Sequence, residues 1–192
     1  MKALVRSFSE LTQEALAGWN RFWFTPQAPY TLAFMRILVG LMLFYTHLVW
    51  ALDLTSFLGS ESWVSRPAWD AVNVDAYVWS YLWLVQSPAI LWVLHVVALC
   101  VFALLTIGYR ARLMAVLAWF IAINYCHRLT GALFGLDQIN VMLVMYLMLG
   151  ENGAAYSVDW FRQLRRSSRP RDSVEPTATV GTNIAIRLIQ IH

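Results

Sequence analysis

The sequence predicts an all-α integral membrane protein, a bundle of about four transmembrane helices with an N-terminal interfacial amphipathic helix. Three observations predict it. Of 192 residues, 59% are hydrophobic and only 13% charged, where an ordinary soluble domain carries roughly 25% charged residues. The apolar residues gather into runs near or above the roughly 18 needed to cross a bilayer. Aromatic residues flank the first of those runs, as expected at the headgroup interface.

Residues 1–30 form the amphipathic arm. Val5, Phe8, Leu11, Ala15, Leu16, Trp19 and Phe22 recur at helical spacing opposite Arg6, Glu10 and Glu14, the pattern of a helix lying in the membrane plane. A cleaved signal peptide is excluded because Glu10 and Glu14 sit where its apolar core would have to be.

Residues 31–150 are expected to be the transmembrane bundle, with spans at about 31–52, 87–108, 113–130 and 137–150. The first, TLAFMRILVGLMLFYTHLVWAL, is long enough for a hydrocarbon core of about 30 Å, and Trp23, Phe24, Tyr30 and Trp50 stand at its two ends. A connector over residues 53–86 carries Asp53, Glu61, Asp70 and Asp75 against Arg66, with four tryptophans. It is expected along the membrane surface, partly helical over residues 72–85. The second span opens at Pro88, a residue tolerated in a first helical turn, and ends at Gly108. The third and fourth are read as short, roughly a dozen residues or about 20 Å of helix each, joined by a polar elbow that thins or enters the membrane.

Residues 151–181 are a basic segment, with Arg162, Arg165, Arg166, Arg169 and Arg171, running into a flexible linker rich in Ser, Pro and Thr. Residues 182–192 start a further helix that is cut short, which suggests a truncated chain because so short a helix is neither a span nor a cap.

Arginine and lysine in short loops mark the cytoplasmic side. With the N-terminus inside, Lys2, Arg6, Arg21, Arg110, Arg112 and the arginines after residue 150 fall in the cytoplasm, while the acidic connector and the elbow fall outside. Only Arg66 and Arg128 disagree. The predicted location is an inner cell membrane, with the lipid bilayer as partner. Nucleic acid is not expected, because the net charge is +3 and no nucleic-acid motif gathers the arginines. Cys100 and Cys126, at different depths, predict neither a disulfide nor a metal site.

Candidate chemistry concentrates where ionisable groups meet the membrane. Arg36 lies early in the first span; it either snorkels to the inner headgroups or meets a partner inside the bundle. At the outer elbow, His127, Arg128, Asp137, Gln138 and Asn140 fall close together, and His47 in the first span could reach the same level. They could line an outward-facing polar pocket. Alternatively, Asp137 is only the N-cap of the fourth helix and Arg128 its surface ion pair. His47 and His95 at similar depth admit a bis-histidine haem reading, against which stands the ordinary histidine that bonds a neighbour. There is no nucleophile elbow and no Gly-rich phosphate loop.

Several landmarks occur in order: Arg36 and Gly40 in the first span, FLGSESWVS after it, IGYRAR between the second and third, GLDQ opening the fourth, YSVDW after it, and IRLIQIH at the end. In these the chain resembles the HTTM, or vitamin K-dependent γ-carboxylase-like, membrane family over residues 31–192. The resemblance implies a bacterial multi-helix membrane protein. In the carboxylase members it implies an enzyme that oxidises reduced vitamin K and uses the resulting base to carboxylate glutamate. Reduced vitamin K or another quinone is thus a cofactor by resemblance alone. The family's catalytic lysine lies beyond the helix that begins IRLIQIH, and the one lysine of this sequence is Lys2. The family's catalytic histidine has no secure counterpart here. No catalytic residue is carried over; Arg36, Gly108, Arg110, Asp137, Gln138, Asp159, Arg187 and Gln190 are family positions that bear on fold.

The expected function is therefore a γ-carboxylase-like membrane protein or fragment without that lysine. A non-catalytic module binding a quinone-like lipid or a partner helix is the alternative, and a small transporter or channel the third.

Overall fold

The computed structural model describes residues 2–72, 78–166 and 175–192, with the side chains of the first helix described from Glu10 onward. Among the described residues all regular secondary structure is helical, apart from one isolated bridge between Gln27 and Thr179. In chain order the helices are α1 (Lys2–Phe24), α2 (Tyr30–Trp50), α3 (Leu54–Leu58), α4 (Arg66–Val72), α5 (Pro88–Ile107), α6 (Ala111–Arg128), α7 (Gly135–Leu147), α8 (Val158–Arg166) and α9 (Val180–Ile191). Short 3-10 turns cover Ala51–Asp53 and Tyr81–Leu84.

Four of these helices close a ring. α2 packs on α5, α5 on α6, α6 on α7, and α7 returns to α2. They correspond to the four expected spans. Two helical segments, Tyr30–Leu58 and Pro88–Ile107, have the length and mean hydropathy, 1.8 and 2.7, of a membrane-crossing helix. The α2–α5 contact is close because Gly40 has no side chain: a Cβ there would lie 3.0 Å from Thr106 Cα. Leu32, Val39, Leu43, Leu91, Phe102 and Ala118 fill the centre.

α6 holds 18 residues, about 27 Å at 1.5 Å per residue. It is longer than the dozen residues read as its helix and runs through His127 and Arg128, which lie within the expected bounds of 113–130. α7, with 13 residues, is short as expected. In the connector, α4 ends at Val72, residues 73–77 lie outside the described residues, and Tyr81–Leu84 supplies the helical turn expected within 72–85.

A tight turn separates α5 from α6. Gly108 adopts φ 72°, and the Tyr109 N–H reaches back to the Leu104 carbonyl at 3.0 Å, which closes a helix with its glycine in the left-handed region. Arg110 follows at φ 44°. Two left-handed residues within three positions reverse the chain and place Gly108, Arg110 and Ala111 at one end of the bundle.

The final apolar segment, expected as a helix cut short, packs on α7, α2 and α1. Thr179 caps it, accepting the Thr182 N–H at 3.2 Å. Asn183 Nδ2 donates to the Phe22 and Trp23 carbonyls at 2.8 and 2.9 Å, satisfying orphan acceptors at the end of α1. Arg187 lies 4.4 Å from the Phe22 ring centroid and donates to Gln190 at 2.8 Å. Arg187 thus joins α9 to α1, and Gln190 holds its guanidinium from within α9. Within α1 itself Leu11, Leu16 and Trp19 stay 62%, 58% and 61% exposed.

Burial across the ring is inverted relative to a water-soluble bundle. Phe34, Leu41, Tyr45, Val93, Val97 and Phe120 face outward, whereas Arg36, His47, His95, Asn124, Arg128 and Asn140 are buried.

Candidate functional site

At the end of the ring formed by the α5–α6 turn, the buried Arg36 is clamped rather than snorkelling. Its Nη1 donates to the Asn152 carbonyl and its Nη2 to the Tyr156 carbonyl, both at 2.6 Å. Those acceptors belong to the segment after α7, which is itself pinned: Asn152 Nδ2 donates to the Leu147 carbonyl at 2.7 Å, and the Ser157 hydroxyl donates to the Gly153 carbonyl. Asp159 completes the knot. Its N–H donates to the Gly108 carbonyl at 3.3 Å, its Oδ2 accepts the Ala111 N–H at 3.1 Å, and its charge acts on Arg36. The positions Arg36, Gly108, Arg110 and Asp159, scattered over the sequence, therefore meet in one place. A guanidinium out of water is costly unless its donors are met; here two carbonyls accept from Nη1 and Nη2 and Asp159 supplies a nearby negative charge, while Nε has no partner. The knot holds helix ends together, with the partly buried Asp159 at the edge of an open cavity that Arg110 and Glu151 also line.

His47 belongs to the bundle interior, not to the elbow. Its Nδ1 lies 2.8 Å from the Leu43 carbonyl and must donate, leaving Nε2 as a buried acceptor without a partner. His95 is fully engaged: Nε2 faces the His47 carbonyl at 3.0 Å, so it donates there, and Nδ1 accepts from the Tyr125 hydroxyl at 2.9 Å. Tyr125 in turn stacks on Trp50, centroids 5.6 Å apart. Because both nitrogens of His95 are spent, the pair does not fit the bis-histidine haem reading. The described residues include no cluster of His, Cys, Asp or Glu suited to a metal, and both cysteines are free.

The elbow at the opposite end is divided. Asp137 is not the N-cap residue that the sequence suggested; Phe134 holds that position. Asp137 stands at the third helical position, and its Oδ2 reaches back to accept the Phe134 N–H at 3.0 Å, one half of a capping box. Gln138 faces outward and Asn140 is buried with its Nδ2 unpartnered. His127 ties α6 to the connector, its Nδ1 donating to the Trp79 carbonyl at 2.9 Å and its own carbonyl accepting Trp69 Nε1 at 3.1 Å. Arg128 makes no ion pair with Asp137. It turns into the connector, where Nη1 donates to the Val64 carbonyl at 3.3 Å and Nη2 to the Gly59 carbonyl at 3.2 Å and the Ser62 hydroxyl at 2.5 Å.

Beside Arg128 lies a cavity of about 240 Å³ whose walls include Leu58, Arg66, Leu82, Trp83 and Val85. The Trp83 ring lies under both arginines, 3.7 Å from the Arg128 guanidinium carbon and 5.2 Å from that of Arg66. Next to it, Asn124 Oδ1 accepts the Tyr81 N–H at 2.9 Å, and burial pushes the Tyr81 phenol up to about 12. Of the expected pocket residues only Arg128 lines this cavity. Trp83, Arg66 and the carbonyls of Gly59 and Val64 were not singled out by sequence. The tryptophan-rich connector was the available signal, since aromatic rings and arginines pair by cation–π contact.

Comparison with family models, curated proteins and solved structures gives no match for this chain.

Proposed function

We propose that this chain is a multi-pass integral membrane protein of the HTTM, γ-carboxylase-like kind, acting as a lipid-binding membrane module rather than as a carboxylase in the residues it contains. α2, α5, α6 and α7 are its four spans, α1 lies in the interface, and the α5–α6 turn and residues after 150 face the cytoplasm of a bacterial cell. The observation that carries the membrane reading is the inverted burial. α5 combines a mean hydropathy of 2.7 with only 33% of its residues buried, and a water-soluble protein rarely exposes so large an apolar patch. The arginine distribution supports the orientation. The exception of Arg128 is explained by its burial against the connector, since a guanidinium consumed by protein carbonyls is not a loop charge.

The resemblance supplies the family reading and a quinone-like lipid as ligand. What supports lipid binding apart from the resemblance is the half-apolar cavity beside Arg128 at the outer end of the ring. With Lys2 as the single lysine, in the N-terminal arm, no bundle lysine serves as a base.

Alkaline carbonate extraction and impermeant maleimide labelling test this reading. In a background of Cys100→Ala and Cys126→Ala, Ser60→Cys is expected to label on intact cells and Gln163→Cys only after permeabilisation. Release of the chain by carbonate, or labelling of Gln163→Cys from outside, would refute it.

A further inference from the structure

The cavity beside Arg128 has a charge imbalance. Arg128 is 1% exposed, and three of the five N–H donors of a guanidinium are taken by Val64, Gly59 and Ser62. All three acceptors are neutral. Its Nε has no partner, nor has Trp83 Nε1, the indole donor of the same wall. Among the described residues no carboxylate lies within salt-bridge distance of Arg128, and Asp137 spends its carboxylate on the Phe134 N–H. The C-terminal dipole of α6 offsets a fraction of a charge at most. Near the same Trp83 ring stands a second cation, Arg66, half-exposed and held at 2.8 Å by Asp70. The cavity lining contains no carboxylate, and Leu58, Leu82 and Val85 complete it.

A buried guanidinium without a counter-charge among the described residues, with donors unfilled and a second arginine nearby, calls for an anion that accepts several hydrogen bonds. We propose that this cavity is an oxyanion site, taking a phosphate-type group carried on the head of an anionic membrane lipid or supplied as free phosphate. At about 240 Å³ it is smaller than the roughly 300 Å³ at which sites for whole drug-sized ligands begin, so it holds a head group while any tail lies outside. Arg66 is the adjustable member, since Asp70 competes with the ligand for it. The site deepens the lipid-binding reading, and only the lipid source depends on membrane insertion.

The test uses the full chain in detergent and in nanodiscs, with native mass spectrometry of retained phosphatidylglycerol against phosphatidylcholine of the same acyl chains. Wild type is expected to retain phosphatidylglycerol about five-fold better, a preference of the size one exposed charge supplies. Arg66→Gln should abolish most of that preference, and Asp70→Asn, which frees Arg66, should raise it. Both substitutions are at half-exposed positions, so thermal unfolding in phosphatidylcholine should stay near wild type, whereas Arg128→Gln is expected to unfold earlier. Displacement of the lipid by millimolar inorganic phosphate, or phosphate binding without lipid preference, would assign the site to free anion. Equal retention of the two lipids without phosphate binding, or a preference that neither Arg66→Gln nor Asp70→Asn moves, would overturn the proposal. So would selective uptake of a neutral quinone insensitive to both. Failure to enter nanodiscs at all would instead count against the membrane reading.

Discussion

Arg36 in α2 and Gly108 at the end of α5 share one volume: a Cβ at position 108 would lie 2.6 Å from Arg36 Nη1 and 2.8 Å from its Cζ. The glycine is required twice, once for its φ of 72° and once for the guanidinium beside it. Gly108→Ala is therefore expected to destabilise the protein by about 2 kcal/mol or more, combining a left-handed backbone with overpacking. Thermal or denaturant unfolding in detergent measures this, and a change below a few tenths would disprove the crowding. Gly131, around which nothing lies within 4 Å, is the control.

Arg36 itself offers a second measurement. Arg36→Met keeps the apolar stem of the side chain but leaves the carbonyls of Asn152 and Tyr156 without donors, each costing about 1–3 kcal/mol when buried. Arg36→Lys restores one cationic donor group, not the planar fork, and should fall between Met and wild type. If Arg36 snorkelled, Lys would equal wild type and Met would cost little. The ordering wild type, Lys, Met in stability separates the two accounts.

The helices of the ring were legible in the sequence because apolar runs mark segments that leave water, and the order of helices followed from them. The partners of Arg36 and Arg128 were not, because they are backbone carbonyls, which every residue carries and no residue type announces. The same blindness hid the role of the last two residues of α6, His127 and Arg128, whose side chains are held by acceptors at Gly59, Val64 and Trp79, across about 50 to 70 positions of chain. His47 was placed with the elbow by depth alone; its ring contacts with Phe102 and Tyr125 put it in the core. Gln138 was grouped with Asp137 by adjacency, yet neighbours on a helix do not face each other.

The two buried histidines should differ sharply on substitution. His95→Phe strands both the Tyr125 hydroxyl and the His47 carbonyl, a loss of about 2–4 kcal/mol. His47→Phe removes one hydrogen bond, to a Leu43 carbonyl that sits within α2, and also removes the unpartnered Nε2, so about 1 kcal/mol or less is expected. Equal costs would mean that the hydrogen-bond assignment at His95 is incorrect. Neither substitution should change the visible absorbance of the purified protein, because the pair is not expected to bind haem.

Asp137 and Arg128 are the residues whose ion pair the sequence allowed and the structure does not form. Asp137→Ala is expected to cost about 1 kcal/mol, the net value of the reach-back hydrogen bond from the Phe134 N–H, and Arg128→Met several times that, because the carbonyls of Gly59 and Val64 and the Ser62 hydroxyl lose their donor. Their energetic independence decides the matter. In a double-mutant cycle, residues without a shared partner add to within about 0.5 kcal/mol, and that is the expected coupling here. Coupling of about 1 kcal/mol or more would restore the ion pair, supply Arg128 with a counter-charge, and remove the imbalance on which the oxyanion site depends.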